Sequence, residues 1–397
     1  MILRQFPPMG VYETLFKFAD ATGKYMGDAG THPWAQGYPL TTQIPGGPEL
    51  PSSVEFDAID LKYPKATGEP PLLEAIADYY RHFYGANISA DNVAVFAGGR
   101  PAIFATLAFL LDDTTVALEA TEYTPYYDML KVLRRKVHLI KSDADNNFRP
   151  GKSDYDVTPL QGTNKVMLVK SNPCNPTGVA IGGDALKSLV EHYSADNTGA
   201  LIDEAYEFYC DPEPESALKY IDNIDDTNIF VIGAATKGLQ VPGMRIGWAI
   251  ASKKHVEIFR NYSSFGMGGV SRASQIYVTG LLETKRVAQA RTAISSFYSA
   301  QRKRYGEGLA ELGFELSTGT GGFYHWGKLP QGLSGDEFND RLFAFEAGIL
   351  PGRLCDMGRT DDAPSDLEYY ARFSFGPLSA DSYDDDMRIL KASLRKS

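Results

Sequence analysis

Short apolar runs alternate with amphipathic stretches through the first two thirds of the chain. The pattern predicts strands over residues 92–97, 115–119, 137–141, 166–170, 200–202, 229–233 and 246–251. Between them it predicts helices over residues 101–111 and 126–135, and a third that Asp184 caps, with Leu186, Leu189, Val190 and Tyr193 on its apolar face. This alternation is typical of an α/β fold with a mostly parallel central sheet and helices on both faces.

The last part of the chain follows a different pattern. It predicts one long helix over residues 285–308, followed by short strands over residues 314–316, 322–326 and 370–375. We interpret this part as a smaller α+β domain that packs with the N-terminal segment. The predicted domains are residues 46–285 for the large, cofactor-binding domain, and residues 1–45 with 286–397 for the small domain.

The composition disfavours several classes of protein. The chain has 39 Lys and Arg against 50 Asp and Glu, a formal net charge of −11, whereas nucleic acids and anionic membranes need clustered cations. The longest apolar run, residues 102–111, is about half as long as a membrane span, and the first residues lack the pattern of a signal peptide. Three separated cysteines and six scattered histidines predict neither a disulfide framework nor a metal site, and suit a reducing cytoplasm.

Polar residues follow three of the predicted strands in the middle of the chain. Asn175 lies in the segment SNPCNPTG, and Asp203 and Tyr206 lie in IDEAY. Lys237 follows the next strand, and Arg245 comes eight residues later. Ligands of parallel sheets bind beyond the carboxyl ends of the strands, so we expect these five side chains to form one site.

In this order and spacing, these residues resemble those of the fold-type-I pyridoxal-phosphate enzymes of the class I/II aminotransferase family, and the resemblance covers most of the chain. It implies that pyridoxal 5′-phosphate is the cofactor and that Lys237 forms a Schiff base with it. It also implies that Asp203 keeps the ring nitrogen protonated, and that Asn175 and Tyr206 bind the phenolate oxygen.

The resemblance extends to the phosphate and to the face of the cofactor ring. Arg245 and the turn Gly98-Gly99-Arg100, which precedes a predicted helix, are implied to bind the phosphate. Tyr123, in the segment EYTPYY, is at the position of the aromatic residue that stacks on the ring.

Further positions resemble residues outside this group. Tyr63 resembles the tyrosine that reaches the phosphate of the neighbouring subunit, which implies a homodimer with shared active sites. Arg372 resembles the arginine that binds the substrate α-carboxylate, and Gly46 is a second expected substrate-binding residue. His32 and Trp34 lie in a segment that often covers the site in relatives, but packing is the expected role of both.

The sequence departs from the family pattern at two positions. Ala234 stands three residues before Lys237, where a phosphate-binding Ser is frequent, and Arg100 replaces a Ser or Thr. Arg272 and Arg353 lie in segments that resemble substrate-lining loops. Each of these two arginines is either a binding group for an anionic substrate or a solvated surface residue.

The resemblance implies an aminotransferase of amino-acid metabolism and biosynthesis, with amino acids and keto acids as its small-molecule substrates. Lys237 would take the Cα proton and return it to the cofactor, through a quinonoid intermediate that Asp203 stabilises, with Tyr206 in support. A related enzyme that eliminates or replaces a β- or γ-substituent, cyclises its substrate or oxidises it is the alternative, because all share these first steps. The sensor domain of a transcription regulator is a third reading, which the short N-terminal segment and the acidic charge disfavour.

Overall fold

The structure, a computed structural model, describes residues 2–3, 6, 9–211, 213–360 and 362–395. The α-helices of this described part are α1 Val11–Thr22, α2 Pro70–Tyr84, α3 Gly99–Ala108, α4 Thr124–Leu133, α5 Gly183–Tyr193, α6 Ala235–Gly238, α7 Lys253–Tyr262, α8 Arg272–Leu281, α9 Thr284–Glu311, α10 Gly335–Phe343 and α11 Tyr383–Ser393. Its strands are β1 Val93–Phe96, β2 Thr114–Glu119, β3 Lys136–Ile140, β4 Lys165–Ser171, β5 Thr198–Asp203, β6 Ile229–Ala234, β7 Gly247–Ile250, β8 Glu315–Leu316, β9 Tyr324–Lys328, β10 Leu350–Pro351 and β11 Tyr370–Ser374. None of the described helices is long and apolar enough to cross a membrane.

The central sheet has seven strands in the order β1-β7-β6-β5-β4-β2-β3. Strand β7 runs antiparallel to both of its neighbours, and the pairs from β6 to β3 are all parallel. At the carboxyl ends of the middle strands, Asp203 is in register with Ser171 of β4 and Ile232 of β6. The carboxyl ends of β4, β5 and β6 therefore lie side by side. The polar residues of the sequence pattern are at these ends or directly after them.

The two faces of this sheet are covered by different helices. Leu168 and Ile202 belong to one apolar cluster, which includes buried residues of α2, α5, α8 and α9. Their neighbours Val169 and Leu201 belong to the other cluster, with α3, α4 and α7. Because successive residues of a strand point to opposite faces, the helices lie on both sides of the sheet. The predicted α/β fold is confirmed.

A smaller antiparallel sheet lies in the C-terminal part, with the strand order β10-β11-β9-β8. Its strands all fall between residues 315 and 374, inside the predicted small domain. The boundaries proposed for the two domains, residues 46–285 and residues 1–45 with 286–397, stay a prediction.

One detail of the predicted helices was wrong. Asp184 does not cap α5: the N-cap is Gly182, without a side-chain hydrogen bond, and Asp184 is the second residue of the helix. There its carboxylate still lies near the unpaired N–H groups of the first turn, where a negative charge is favourable.

A buried carboxylate connects the N-terminal segment to helices α9 and α11 by hydrogen bonds. Asp386 of α11 accepts hydrogen bonds from His32 Nδ1 at 2.8 Å, Trp34 Nε1 at 3.2 Å and the Tyr305 hydroxyl at 2.6 Å. Trp34 is fully buried and packs on Phe373. His32 and Trp34 therefore pack as expected, and they hold the residues that follow them beside the central sheet.

We predict that Asp386→Ala lowers the free energy of unfolding by about 2–4 kcal/mol, because it removes the shared acceptor of three donors, two of which belong to the buried side chains Trp34 and Tyr305. Urea denaturation followed by circular dichroism measures the change. Asp384→Ala is the matched control, because the Asp384 side chain is 92% exposed and its ion pair with Arg304 contributes little. Equal stability of the two variants would contradict this account of the N-terminal segment.

Candidate active site

A cavity of about 510 Å³ opens at the carboxyl ends of β4, β5 and β6. It brings together eight of the residues predicted from the sequence: Gly99, Arg100, Tyr123, Asn175, Asp203, Tyr206, Lys237 and Arg245. Its other lining residues are Tyr12, Gln36, Ile103, Ser171, Ala205, Ala234, Thr236 and Pro242.

Lys237 lies in the short helix α6, directly after β6. Its ammonium group donates a hydrogen bond to the Gly37 carbonyl and lies 5.6 Å from the centre of the Tyr206 ring. Desolvation, together with the positive charges of Arg100, Arg372 and Arg245, lowers the pKa of Lys237 to about 7, and Asp203 opposes this shift. A substantial fraction of the amine is therefore uncharged at neutral pH, as a nucleophile or base requires.

Asp203 is the last residue of β5 and is buried. Its carboxylate accepts hydrogen bonds from the Tyr126 hydroxyl at 3.0 Å and from the Ala205 N–H at 3.1 Å. Both donors are neutral, and burial raises the pKa of Asp203 in spite of them. A buried carboxylate without an ionic partner in hydrogen-bond contact is suited to a ligand that brings a cationic nitrogen.

Arg245 and the turn before α3 form the opposite end of the cavity. Gly98 has φ +104°, and a Cβ atom at this residue would lie 2.4 Å from Arg245 Nη2, so only glycine allows this approach. Arg245 Nη2 also donates to the Ala97 carbonyl at 3.3 Å. Residues Gly99 and Arg100 open α3, so unpaired N–H groups and a guanidinium face the same space. This combination is suited to a phosphate.

Tyr123 and Arg100 are bonded to each other at the cavity wall. Arg100 Nε donates to the Tyr123 hydroxyl at 2.6 Å, and the guanidinium lies 5.7 Å from the centre of the Tyr123 ring. The Nη1 and Nη2 groups of Arg100 make no hydrogen bond to any residue that the structure describes. Arg100 therefore has free donors beside the cavity, close enough to be the largest charge effect on Lys237.

Arg372 lies behind this wall, in strand β11, rather than among the lining residues. Its Nη1 donates to Asn175 Oδ1 at 2.8 Å and its Nη2 to the Ala35 carbonyl at 2.6 Å. The guanidinium lies 4.2 Å from the centre of the Tyr324 ring, and the Tyr324 hydroxyl bonds that of Tyr206. Asn175 thus lies between Arg372 and the cavity. A carboxylate bound beside Asn175 would be attracted by the positive charge of Arg372.

Two predicted residues lie away from the cavity. Tyr63 is 94% exposed. Gly46 accepts a hydrogen bond from Gln289 Nε2 of α9 at 3.0 Å and is not among the lining residues. Within one chain neither residue contributes to the cavity, and their binding roles stay predictions.

Arg272 and Arg353 also lie outside the cavity, each between two carboxylates. Their side chains are 18% and 28% exposed, so they are not solvated surface residues. The partners are Asp60 and Glu69 for Arg272, and Glu13 and Asp336 for Arg353. Since both guanidinium groups already have two anions, the structure gives them a structural role instead of an anion-binding one.

Sequence reasoning missed several side chains of this region. Tyr126, which bonds Asp203, follows Tyr123 by nearly one helical turn, and Ser171 ends β4, so strand and helix positions would have pointed to both. Tyr12, Gln36 and Tyr324 come from distant segments, and no local pattern marks them.

The cavity fits pyridoxal 5′-phosphate by its chemistry. It holds an amine that is partly uncharged at neutral pH and a buried carboxylate whose hydrogen-bond donors, among the described residues, are all neutral. It also holds a turn where the Arg245 guanidinium lies so close to Gly98 that a Cβ atom would displace it. These groups match, in turn, an aldehyde, a protonated ring nitrogen and a phosphate.

Comparisons with known proteins identify the family and the fold. The model of the family described as aminotransferase class I and II matches residues 58–350. Two curated relatives are 25% identical to the chain: an LL-diaminopimelate aminotransferase of Dehalococcoides mccartyi, covering 78% of this chain and 81% of the relative, and an aspartate aminotransferase of Pyrococcus horikoshii, covering 83% and 82%. The solved aspartate aminotransferase from Thermus thermophilus with maleate has the same fold, with a TM-score of 0.78 at 19% identity over 99% of this chain and 100% of that one.

We predict that Lys237 of the cofactor-free protein reacts with an amine-specific reagent with a midpoint near pH 7, because its ammonium form is destabilised. Peptide mass spectrometry measures the labelling against the exposed Lys187 in the same sample. Arg100→Gln moves the midpoint upward, since a cation is removed, and Asp203→Asn moves it downward, since an anion is removed. A midpoint that neither variant changes would contradict the electrostatic account.

Proposed function

The chain belongs to the aminotransferase class I and II family and is a pyridoxal-phosphate-dependent transferase, and from this premise we propose that it transfers the amino group of an acidic α-amino acid to a keto acid. The observation that carries this proposal is the pairing, in one cavity, of the partly uncharged Lys237 amine with the free guanidinium donors of Arg100.

The cofactor, when bound, supplies an aldehyde for the amino group and an electron-withdrawing ring. In the proposed arrangement, Asp203 holds a proton at the ring nitrogen, because its buried carboxylate gains a cationic partner there. Arg245 and the N–H groups at the start of α3 bind the phosphate. Asn175 and Tyr206 donate hydrogen bonds to the phenolic oxygen, and Tyr123 supports the ring.

Lys237 is proposed as both the cofactor-binding residue and the base of the reaction. A pKa of about 7 leaves enough free amine at neutral pH to accept the Cα proton at Nζ, and the resulting ammonium can return it. The Gly37 carbonyl accepts a hydrogen bond from Nζ and so stabilises that ammonium between the two proton transfers.

The charges around the cavity support an acidic substrate. Asp203 is the one carboxylate among the described lining residues, so a cationic substrate side chain would meet no second anion there. Arg372, through its place beside Asn175, would attract the α-carboxylate. We assign the Nη1 and Nη2 groups of Arg100, which the resemblance places at the phosphate, to a second acidic group of the substrate.

We also propose a two-fold homodimer in which Tyr63 reaches the cavity of the partner subunit. Tyr63 lies in a segment with three further exposed apolar residues, Phe56, Ile59 and Leu61. Apolar side chains clustered at a surface indicate a contact with another chain. Tyr63 has no role within its own subunit's cavity, which agrees with a role in the partner's.

A single half-reaction tests the function. The cofactor-loaded protein would be mixed with ¹⁵N-labelled amino acids, one at a time and without a keto acid. We expect one equivalent of keto acid per subunit and recovery of the ¹⁵N label on the released cofactor, with aspartate or glutamate reacting faster than alanine. Mass spectrometry of both products measures the transfer.

The matched variant is Arg100→Gln. We expect the preference for the acidic donor over alanine, expressed as a ratio of kcat/KM values, to fall by roughly tenfold to a hundredfold, as for a lost hydrogen bond between charged groups. Release of labelled ammonium with an unchanged cofactor would overturn transamination and indicate elimination or oxidation instead. A new amino-acid product that retains the label, again with an unchanged cofactor, would indicate cyclisation or replacement. An unchanged ratio in the variant would overturn the role of Arg100 in substrate binding, and equal rates with the acidic donors and with alanine in the parent protein would overturn the acidic substrate.

A further inference from the structure

A fully buried carboxyl group, Glu122, joins two loops that carry cavity residues. Its Oε1 accepts a hydrogen bond from the backbone N–H of Tyr123 at 2.9 Å, and the Ser171 hydroxyl also donates to it. Its Oε2 accepts from the backbone N–H of Ser171 at 3.2 Å. One side chain is therefore bonded both to the loop after β2 and to the end of β4.

The contacts continue from Ser171 into the cavity. Ser171 Oγ accepts the backbone N–H of Asn175 at 3.1 Å, and Asn175 Oδ1 accepts from Arg372 Nη1 at 2.8 Å. An unbroken series of hydrogen bonds thus runs from Glu122 to Arg372. The same carboxyl group holds the N–H of Tyr123, whose side chain is bonded to Arg100.

We propose that Glu122 is a positioning residue, which sets the affinities for the cofactor and for the substrate carboxylate by holding Tyr123 and Asn175 in one arrangement. This inference rests on the proposed function, because Tyr123 and Asn175 act in it as binding residues. Glu122 itself touches neither ligand. Glu122 acts by keeping the two loops in the arrangement that binds the ligands. Without it, only a fraction of the molecules would have this arrangement, and the apparent affinity for the ligands would fall by that fraction.

The surroundings of Glu122 favour its protonated form at neutral pH. Burial and the nearby Glu119 carboxylate raise the pKa of Glu122 to about 8, although Lys170 opposes this. Lys170 is itself paired with Glu119, and both are buried. Among the residues that the structure describes, the other titratable groups that face Glu122 are Cys174 of the β4–α5 loop, Tyr126 of α4 and Cys355, between β10 and β11.

The direction of the pH dependence follows from this raised pKa. Between about pH 4.5 and pH 8 the folded state keeps a proton that the unfolded chain loses, so this group makes the protein less stable as pH rises through that window. Above pH 8 the ionised carboxylate places a negative charge behind Asn175. That charge repels the substrate carboxylate, so the KM for the amino acid should rise there.

Two variants of Glu122 and one matched control test the proposal in the full-length protein. Glu122→Ala leaves two N–H groups and a hydroxyl without an acceptor. Glu122→Gln removes the ionisation and keeps the Oε1 acceptor for two of these donors, and loses only the acceptor of the Ser171 N–H. Tyr155→Phe is the control: the Tyr155 hydroxyl donates a hydrogen bond to Glu119 at 2.5 Å in the same buried cluster, but it bonds no described residue of either loop.

The first readout is the dissociation constant of pyridoxal 5′-phosphate at pH 7, from quenching of tryptophan fluorescence. We expect Glu122→Ala to raise this dissociation constant by roughly tenfold or more. Each buried donor left unpaired shifts the equilibrium between the arrangements of the two loops by about tenfold, away from the one that binds the cofactor. Glu122→Gln should change it much less, and Tyr155→Phe should lower thermal stability without changing it. The Ser171→Ala change should be non-additive with Glu122→Ala, because both break the same series of bonds.

The second readout is the KM for the amino donor between pH 6 and pH 9.5. The protein should show a rise in KM above pH 8 that Glu122→Gln abolishes and Tyr155→Phe retains, with kcat changing less than KM. If the Glu122 variants match the parent protein in affinity and in this profile while transamination proceeds, the positioning role is wrong. If the parent protein binds the cofactor but does not transaminate, the proposed function fails, and the dissociation constants still decide the role of Glu122.

Discussion

The desolvation of a lysine among arginines is the interaction on which the rest of this site depends. Lys237 shares a cavity with Arg100 and Arg245 and lies close to Arg372, and its charged form is disfavoured by both burial and repulsion. Asp203 supplies the opposing charge, from a neighbouring strand, and is itself destabilised by burial. The charged form of each group is thus disfavoured, and a ligand with complementary charges would stabilise it. Such groups are typical of a binding site for a charged cofactor.

The sheet topology makes this arrangement possible. Three parallel strands end side by side, so Asn175, Asp203 and Lys237, which lie within 62 positions of one another along the chain, reach one cavity without long loops. The approach of Arg245 to Gly98 adds a steric constraint, because any Cβ atom there would collide with the guanidinium. The N-terminal segment completes the cavity from outside the sheet, and its position depends on the bonds that His32 and Trp34 make to Asp386.

The parts that could be predicted from sequence are those that local patterns encode. Asn175, Asp203 and Lys237 each follow an apolar run, so their convergence follows from a parallel sheet. Arg272 and Arg353 could not be understood in this way, because the carboxylates that neutralise them lie from 17 to 340 residues away in the chain. Glu122 was overlooked for a similar reason: nothing in the local sequence shows that this carboxyl group is buried and has a raised pKa.

The most direct test of the central claim is to identify the lysine that binds the cofactor. The protein loaded with pyridoxal 5′-phosphate would be reduced with borohydride, which makes the attachment permanent, and then digested and mapped by mass spectrometry. The account predicts one pyridoxyl group per chain, on the peptide that contains Lys237, and a much lower yield in Asp203→Asn. Attachment at the buried Lys170, which precedes Ser171 at the end of β4, or at several exposed lysines would contradict it.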